Sequence, residues 1–462
     1  MMKEKSHCFT SDEVDIFRRN LLSWYDKNKR DLPWRKQVDN PDTDQRAYAV
    51  WVSEVMLQQT QVATVIDYYN KWMKRWPTLQ DLALAQLEDV NEMWSGLGYY
   101  SRGRRLYEGT KKVVDKLEGR MPRTAADLMK TLPGVGRYTA GAIASIAFNQ
   151  VTGVVDGNVI RVLARLRCIG ADSSSQTTMD SFWSLANDSV DLERPGDFNQ
   201  AVMELGATVC TPKNPSCSKC PLTAVCRAFK QTEDHKQQSA RKLVKRDANK
   251  NKVLDIECCA EPCSLCLGKE EPWDSSLGVA NYPRKAKKKA ARIETTAVCL
   301  ICQKNRHEPD KFFIVQRPTK GLLAGMWEFP SQIQPKDAPP PDMLCITNDK
   351  YGISVHNIKE KIPVGQVSHI FSHIHQTYTV EAVTIAGDDI DEQLIVDGTR
   401  WVTKQQFMEA AVSTAMKKVF KAYEKTVEDN KKGVKRKRQI SGETTEKRKQ
   451  TAILSFFKQT TS

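Results

Sequence analysis

Across its 462 residues the sequence has no run approaching the roughly 18–20 consecutive apolar residues that a membrane-spanning helix needs, so no membrane partner is expected. The first twenty residues carry Lys3, Glu4, Lys5, Asp12, Glu13 and Asp15 with no apolar centre, so a secretory leader is not expected either. An Arg-rich amphipathic leader is equally absent from the N-terminus as written. No internal repeat is visible, and there is no acidic excess. The net charge is +14, which favours a polyanionic partner over a solvated basic surface. Apolar residues make up 40%, low for one compact globule, so part of the chain is expected to be linker or tail. At about 150 residues per domain the length suggests roughly three folding units. Cysteine is plentiful: there are thirteen, an odd number, several at two-residue spacings. That argues for metal rather than a disulfide framework.

Residues 15–230 read as mostly helical, an all-α globule or two α lobes, behind an N-terminal extension, 1–14. Val50, Trp51, Val55, Met56, Val62 and Val65 recur at helical spacing, as do Val113, Val114 and Leu117. Pro33, Pro77, Pro122 and Pro133 punctuate the segments. Residues 231–292 are rich in Lys, Gln, Asp, Ser and Cys and read as a connector ending in a basic run from Arg284 to Arg292. Strand signals then appear at 295–301, 312–315 and 377–383, followed by a helical stretch near 404–424. This predicts an α+β domain over 293–425. Residues 426–462 are charged and polar, and a disordered basic tail is expected.

Three constellations carry chemistry. Cys210, Cys217, Cys220 and Cys226 form C-x6-C-x2-C-x5-C, a set of soft ligands for zinc or a 4Fe–4S cluster. Zinc sites usually pair two close knuckles, and only Cys217 and Cys220 are two apart, so the spacing favours the cluster. In Leu132-Pro133-Gly134-Val135-Gly136-Arg137-Tyr138, Gly134 and Gly136 allow a tight turn with positive φ. Around Val135 they leave backbone N–H groups bare at a helix start, which suits a phosphate. An ordinary helix–turn–helix corner is the bland alternative. Asp156, in Val154-Val155-Asp156-Gly157-Asn158, reads either as a helix cap or as a carboxylate kept near a phosphate site to stabilise a positively charged sugar.

Together these three motifs resemble the helix-hairpin-helix DNA glycosylases with an iron–sulfur cluster, the endonuclease III superfamily. Trp51-Val-Ser-Glu54-Val-Met-Leu-Gln58-Gln59-Thr60 and Gly96-Leu97-Gly98-Tyr99-Tyr100-Ser101-Arg102 are similar to the adenine-specific branch, the MutY family, in its animal nuclear form. The resemblance spans about residues 15–424. It implies excision of adenine mispaired with 8-oxoguanine or guanine in double-stranded DNA. Glu54 would be the general acid, Asp156 would face the developing oxocarbenium ion, and Tyr138 and Asn158 would position them. Outside the family, Glu54 would read as a solvated face residue of an amphipathic helix. Trp34, Arg35 and Glu204 would read adenine, Gln59 and Tyr99 would wedge into the duplex, and Thr60 and Leu97 would touch the lesion. Bifunctional relatives carry a lysine nucleophile where this chain has Tyr138, which cannot form an imine, so a monofunctional glycosylase is expected. A bifunctional lyase and a non-catalytic lesion-binding adaptor are the competing readings.

The segment Gly321-Leu-Leu-Ala-Gly325-Met-Trp327-Glu328-Phe329-Pro330 resembles a Nudix domain. The Glu-rich metal-binding helix such a hydrolase needs does not follow it, so no pyrophosphatase activity is expected. In the MutY family this domain reads 8-oxoguanine, through positions that match Phe371, Ser372 and His373. Family resemblance also places a zinc site in the connector, on His7, Cys259, Cys263 and Cys266, with Cys258 an alternative to Cys259. Cys299 and Cys302 sit in a strand pattern and read as packing. The tail residues Gln450, Ile453, Phe456 and Phe457 resemble a sliding-clamp-binding box. The family further implies the checkpoint clamp, near Ile256, and an abasic-site endonuclease as partners. A monomer is expected. The basic runs 284–292 and 435–438 suit nuclear import, with non-specific DNA affinity as the alternative reading; a nuclear protein is expected, and a mitochondrial isoform stays open.

Overall fold

The computed structural model describes residues 7–245, 263–268, 271–284, 291–304, 308–318, 321–335, 339, 341–352, 358–371, 373–386 and 396–432. Two compact units emerge. One draws on Met1–Val90 and Arg102–Lys288, the other on Asn91–Ser101 and Lys289–Ser462. The short segment 91–101, which the sequence reading keeps inside the helical domain, therefore groups with the second unit. Among the described residues no helix is long and apolar enough to cross a membrane.

The first unit is helical. Its helix Thr43–Leu57, capped by Asp42, buries every residue from Ala47 to Met56, which is the pattern of a helix surrounded by protein rather than lying on a surface. It packs against Arg137–Phe148, another mostly buried helix. The apolar periodicity through Val65 is broken at Gln58–Gln61, where Gln59 turns left-handed, φ +55, before the next helix, Val62–Arg75. Helix Ser11–Asn28 starts with a capping box between Thr10 and Glu13. It packs with Gly157–Arg167, Gln176–Ser189 and Pro195–Thr208 around Phe17, Leu21, Leu163, Phe182, Phe198 and Leu205.

The connector is less of a linker than its composition predicts. Helix Arg227–Lys245 runs well past residue 230. Val279 and Tyr282 are buried in the helical core, and Leu265, Leu267 and Trp273 pack against it. These few apolar residues are enough to dock an otherwise polar stretch.

The second unit carries one seven-stranded sheet: β1 (Arg292–Lys304), β2 (Lys311–Gln316), β3 (Trp327–Glu328), β4 (Ser331–Gln334), β5 (Ile358–Ile370), β6 (Ile374–Ala386) and β7 (Thr399–Thr403). The order is β3-β2-β1-β6-β5, with β4 on β1 and β7 on β2. Only β1 and β6 run parallel, and β5 pairs antiparallel with β6. All three strands expected from the sequence lie within β1, β2 and β6. Both faces of the sheet are covered. One packs Val298, Leu300 and Ile314 against Ala415, Met416, Val419 and Phe420. The other packs Cys299, Ile301 and Phe313 against Met343 of helix Met343–Tyr351. Cys299 and Cys302 thus fall in separate packing clusters on opposite faces, as packing residues do.

The single helix expected near 404–424 is two. Lys404–Glu409 stops, Val412 bridges to Trp327, Trp327 N donates to Ala411 O, and a second helix runs 414–432. Pairing with β3 takes the backbone bonds a continuous helix would use. That second helix continues through 432, beyond the start assigned to the tail.

Candidate active site

Glu54 sits near the end of the buried helix Thr43–Leu57 and is only 6% exposed. Tyr138, the second residue of the helix after the glycine hairpin, donates its hydroxyl hydrogen to Glu54 Oε2 at 2.7 Å, and its oxygen also lies 3.2 Å from Met203 Sδ. Burial pushes the Glu54 carboxyl up to about 7. Asp156 nearby adds to the rise, and the Tyr138 hydrogen bond and Arg35 oppose it. The solvated-face reading of Glu54 is therefore excluded: a carboxyl in this setting holds a proton near neutrality.

Asp156 is a helix cap and a site carboxylate at once. As N-cap of Gly157–Arg167 its Oδ1 accepts from Val159 N at 2.7 Å, and its Oδ2 accepts from Asn158 Nδ2 at 2.8 Å. The cap fixes where the carboxylate points. Burial raises its pKa, and the hydrogen bonds from Val159 and Asn158 and the charge of Arg161 offset only part of that rise. Its charge is felt at both Glu54 and Tyr138. Asn158 is oriented in turn by Arg161, whose Nη2 donates to Asn158 Oδ1 (2.7 Å) and Gly206 O (2.6 Å) and whose Nε donates to Cys210 O (2.7 Å). The sequence reading passed over Arg161. Its one signal is the i, i+3 spacing from Asn158 on a helix face.

Trp34 and Arg35 lie in the short 3-10 helix Pro33–Asp39. The Trp34 ring packs edge-on to Tyr69 and the Arg35 guanidinium lies over Tyr25. Glu204 is 1% exposed, and its two oxygens are fully occupied. Arg30 reaches it through N, Nε and Nη2, and Arg35 through Nη2 at 2.9 Å. In this conformation Glu204 organises two arginines, and Arg30 is a member of the group that the motif reading missed.

Gln59 is exposed and left-handed, and Thr60 is half-buried beside it. Buried Arg102 holds this loop: Nη1 donates to Val55 O (2.9 Å), Met56 O (3.0 Å) and Gln58 O, and Nη2 donates to Thr60 Oγ1 (3.2 Å). One arginine thus satisfies several free carbonyls at the end of the helix bearing Glu54. At the hairpin one expectation is corrected. Gly134 has positive φ, +76, but Gly136 is extended, φ −91, ψ 179, and is the N-cap of Arg137–Phe148. Val135 between them is buried, and its N–H is not bare as expected but donates to Leu132 O at 3.3 Å, closing the turn. Gly136 earns its place by leaving open space over the first amides of that helix, since a Cβ there would meet nothing within 4 Å.

The second unit holds the remaining candidates. Tyr99 is 43% exposed with φ +50, the same left-handed backbone as Gln59. Leu97 is buried, so its side chain is not presented at the surface here. Phe371 is half-buried, its ring against His369 and its N–H donated to Ile374 O, and His373 is exposed. Ser372, Cys258, Cys259, Ile256, Gln450, Ile453, Phe456 and Phe457 lie outside the described residues.

Two groups of soft ligands are brought together. Cys210, Cys217, Cys220 and Cys226 line one pocket together with residues such as Leu166, Leu205 and Val279. Burial pushes Cys220 up to about 11 and Cys226 up to about 12, so both keep their protons at neutral pH unless a cation displaces them. Among the described residues, the only set of three or more Cys, His or acidic ligand atoms within 4.8 Å of one another is His7, Cys263 and Cys266. The His7 group is as close as ligands of one metal ion need to be. His7 Nδ1–H donates to Arg167 O at 2.8 Å, which turns Nε2 toward Cys266 Sγ, 3.5 Å away, as an acceptor.

Residues 52–188 match the family described as HhH-GPD superfamily base excision DNA repair protein, and residues 297–422 match the NUDIX domain. The adenine DNA glycosylase of Mus musculus is 54% identical over 93% of this chain and 82% of its own length. That of Homo sapiens is 53% identical over 89% and 74%. Among solved structures, a thermostable thymine-DNA glycosylase is 25% identical, covering 48% of this chain and 98% of its own, with a TM-score of 0.42.

Proposed function

The chain belongs to the adenine DNA glycosylase family, and from that premise we propose that it flips out adenine mispaired with 8-oxoguanine or guanine in duplex DNA and hydrolyses its N-glycosidic bond in base excision repair. The observation that carries the chemistry is the buried Glu54 carboxyl, bonded to the Tyr138 hydroxyl and poised at about 7 beside the capped Asp156. Protonated Glu54 gives its proton to a ring nitrogen of adenine, and the electron pair of the glycosidic bond leaves with the base. The cation left on the sugar is stabilised by the Asp156 carboxylate, which Asn158 and the Val159 amide hold in place. Glu54, now ionised, takes a proton from the water that adds to the sugar. With Tyr138 where a lyase needs an amine, no imine forms, so the reaction is monofunctional.

In this reading Cys210, Cys217, Cys220 and Cys226 hold a 4Fe–4S cluster, which when bound crosslinks the loop after Pro195–Thr208 to the core. The support is that all four thiols line a single pocket, at the C-x6-C-x2-C-x5-C spacing. His7, Cys263 and Cys266, with a fourth thiolate from Cys259 or Cys258, hold zinc. Phe371, Ser372 and His373 read 8-oxoguanine, and Gln450, Ile453, Phe456 and Phe457 engage the sliding clamp. The basic runs direct the chain to the nucleus.

The test is a duplex with one adenine opposite 8-oxoguanine, incubated with the chain or with Asp156→Asn and split with and without hot alkali. Alkali-dependent cleavage at the adenine, lost in the variant, is expected. Cleavage without alkali would mean lyase chemistry, and tight binding without cleavage would leave only the adaptor.

A further inference from the structure

Arg137 is the first residue of the helix that follows the hairpin, directly after the N-cap Gly136. It is exposed, and its guanidinium carbon lies 4.0 Å from the ring centroid of Trp183. No carboxylate pairs with it among the described residues. The acids nearest Trp183 on helix Gln176–Ser189 are engaged elsewhere: Asp180 accepts from Gln176 Nε2 at 2.9 Å, and Asp188 accepts from Ser184 Oγ at 3.2 Å. Trp183 is half-buried, packed against the core that contains Phe182 and Leu185, and so offers the arginine a fixed face.

A carboxylate partner would orient Arg137 but cancel its charge, and that bond would have to break for an anion to bind. An indole face orients the guanidinium through its ring and leaves the N–H edges and the positive charge free. Arg167 shows the contrary arrangement, lying over Phe9 while bonded to Glu13, a closed structural pair. We propose that Trp183 is a positioning residue for DNA binding: it holds Arg137 at the N-terminus of helix Arg137–Phe148, next to the 134–136 hairpin, where the guanidinium neutralises one backbone phosphate. This rests on the glycosylase reading above.

The experiment uses the full chain and a duplex bearing a hydrolysis-resistant 2′-fluoro adenosine opposite 8-oxoguanine. Trp183→Leu should weaken binding about three- to tenfold. The slope of log affinity against log salt should fall by roughly 0.9, the signature of one lost phosphate contact. Single-turnover excision at saturating enzyme should stay within about twofold of wild type, because chemistry at Glu54 and Asp156 is untouched, and Trp183→Phe should recover most of the affinity through its own ring face. In an Arg137→Ala background, Trp183→Leu should cost nothing more. If the two losses instead add, if Phe is as poor as Leu, or if the salt slope is unchanged, Trp183 is only core and the proposal falls. A wild-type chain that excises normally with an unaffected Trp183→Leu overturns this proposal alone. A wild-type chain that neither binds nor excises overturns the glycosylase reading and this proposal with it.

Discussion

Glu54 and Asp156 are two carboxyls of ordinary type in different surroundings, which suit them to the different tasks proposed for them. Burial dominates at both, but Asp156 accepts a backbone N–H and an amide N–H, whereas Glu54 accepts only a phenolic O–H. The first arrangement favours the anion more strongly than the second. A rate that needs Glu54 protonated and Asp156 ionised has a bell-shaped pH dependence, with its alkaline limb near pH 7. Glu54→Gln, which keeps the shape and removes the proton, should lower the single-turnover rate by about 10²–10⁴. Tyr138→Phe removes a bond that favours the Glu54 anion, so the Glu54 pKa rises further and the alkaline limb moves to higher pH. Asn158→Ala does the same at Asp156 and moves the acid limb upward. Single-turnover rates across pH 5–9 read both limbs, and a limb that stays put or moves down contradicts the assignment.

At the scale of elements, the groups proposed to be catalytic are delivered by helix ends. Glu54 lies by the C-terminus of one helix, which Arg102 caps. Tyr138 and Asp156 lie at the N-termini of two others. Helix ends carry free backbone groups, and those groups fix the side chains placed there. The hairpin glycines separate by the same logic. Gly134→Ala needs a left-handed alanine and drives a Cβ to within 2.6 Å of Arg105 Cδ. It should cost about 1–2 kcal/mol, read as a lower denaturant midpoint. Gly136→Ala meets open space on an extended backbone, so stability should change by under about 0.5 kcal/mol, while DNA affinity falls because the methyl shades the first amides of the helix. Equal stability losses at the two positions would refute this division.

At the scale of the molecule, residues far apart in the chain are tied through ligands and buried charge. His7 meets Cys263 and Cys266 and bonds Arg167, whose guanidinium also reaches Glu13 and Val225 O next to Cys226. His7→Ala should therefore lower zinc in the purified chain while leaving its iron, as elemental analysis of both metals would read; loss of iron alone would contradict two separate sites. The ring of Cys210, Cys217, Cys220 and Cys226, the glycine hairpin and the Asp156 motif were legible in the sequence because each is a local pattern with local physics. The three β signals were legible too, since alternation and β-branching are read over a few residues. Arg30, Arg102, Arg161 and Trp183 were not, because an arginine or tryptophan carries no local signal of its distant partner. The connector misled for the same reason: its composition is polar, yet Val279 and Tyr282 find a core built from other segments. By itself the sequence determined the family, and it placed the four-cysteine motif, the glycine hairpin and the Asp156 motif, each a set of residue types at short spacing. Only the tertiary structure decided that Glu54 is buried enough to hold a proton near pH 7, that Asp156 is both cap and charge, that Glu204 is taken up by arginines, and that Arg137 keeps its charge free. Burial, dielectric and the pairing of charges depend on which distant segments come together, and no short stretch of sequence records that.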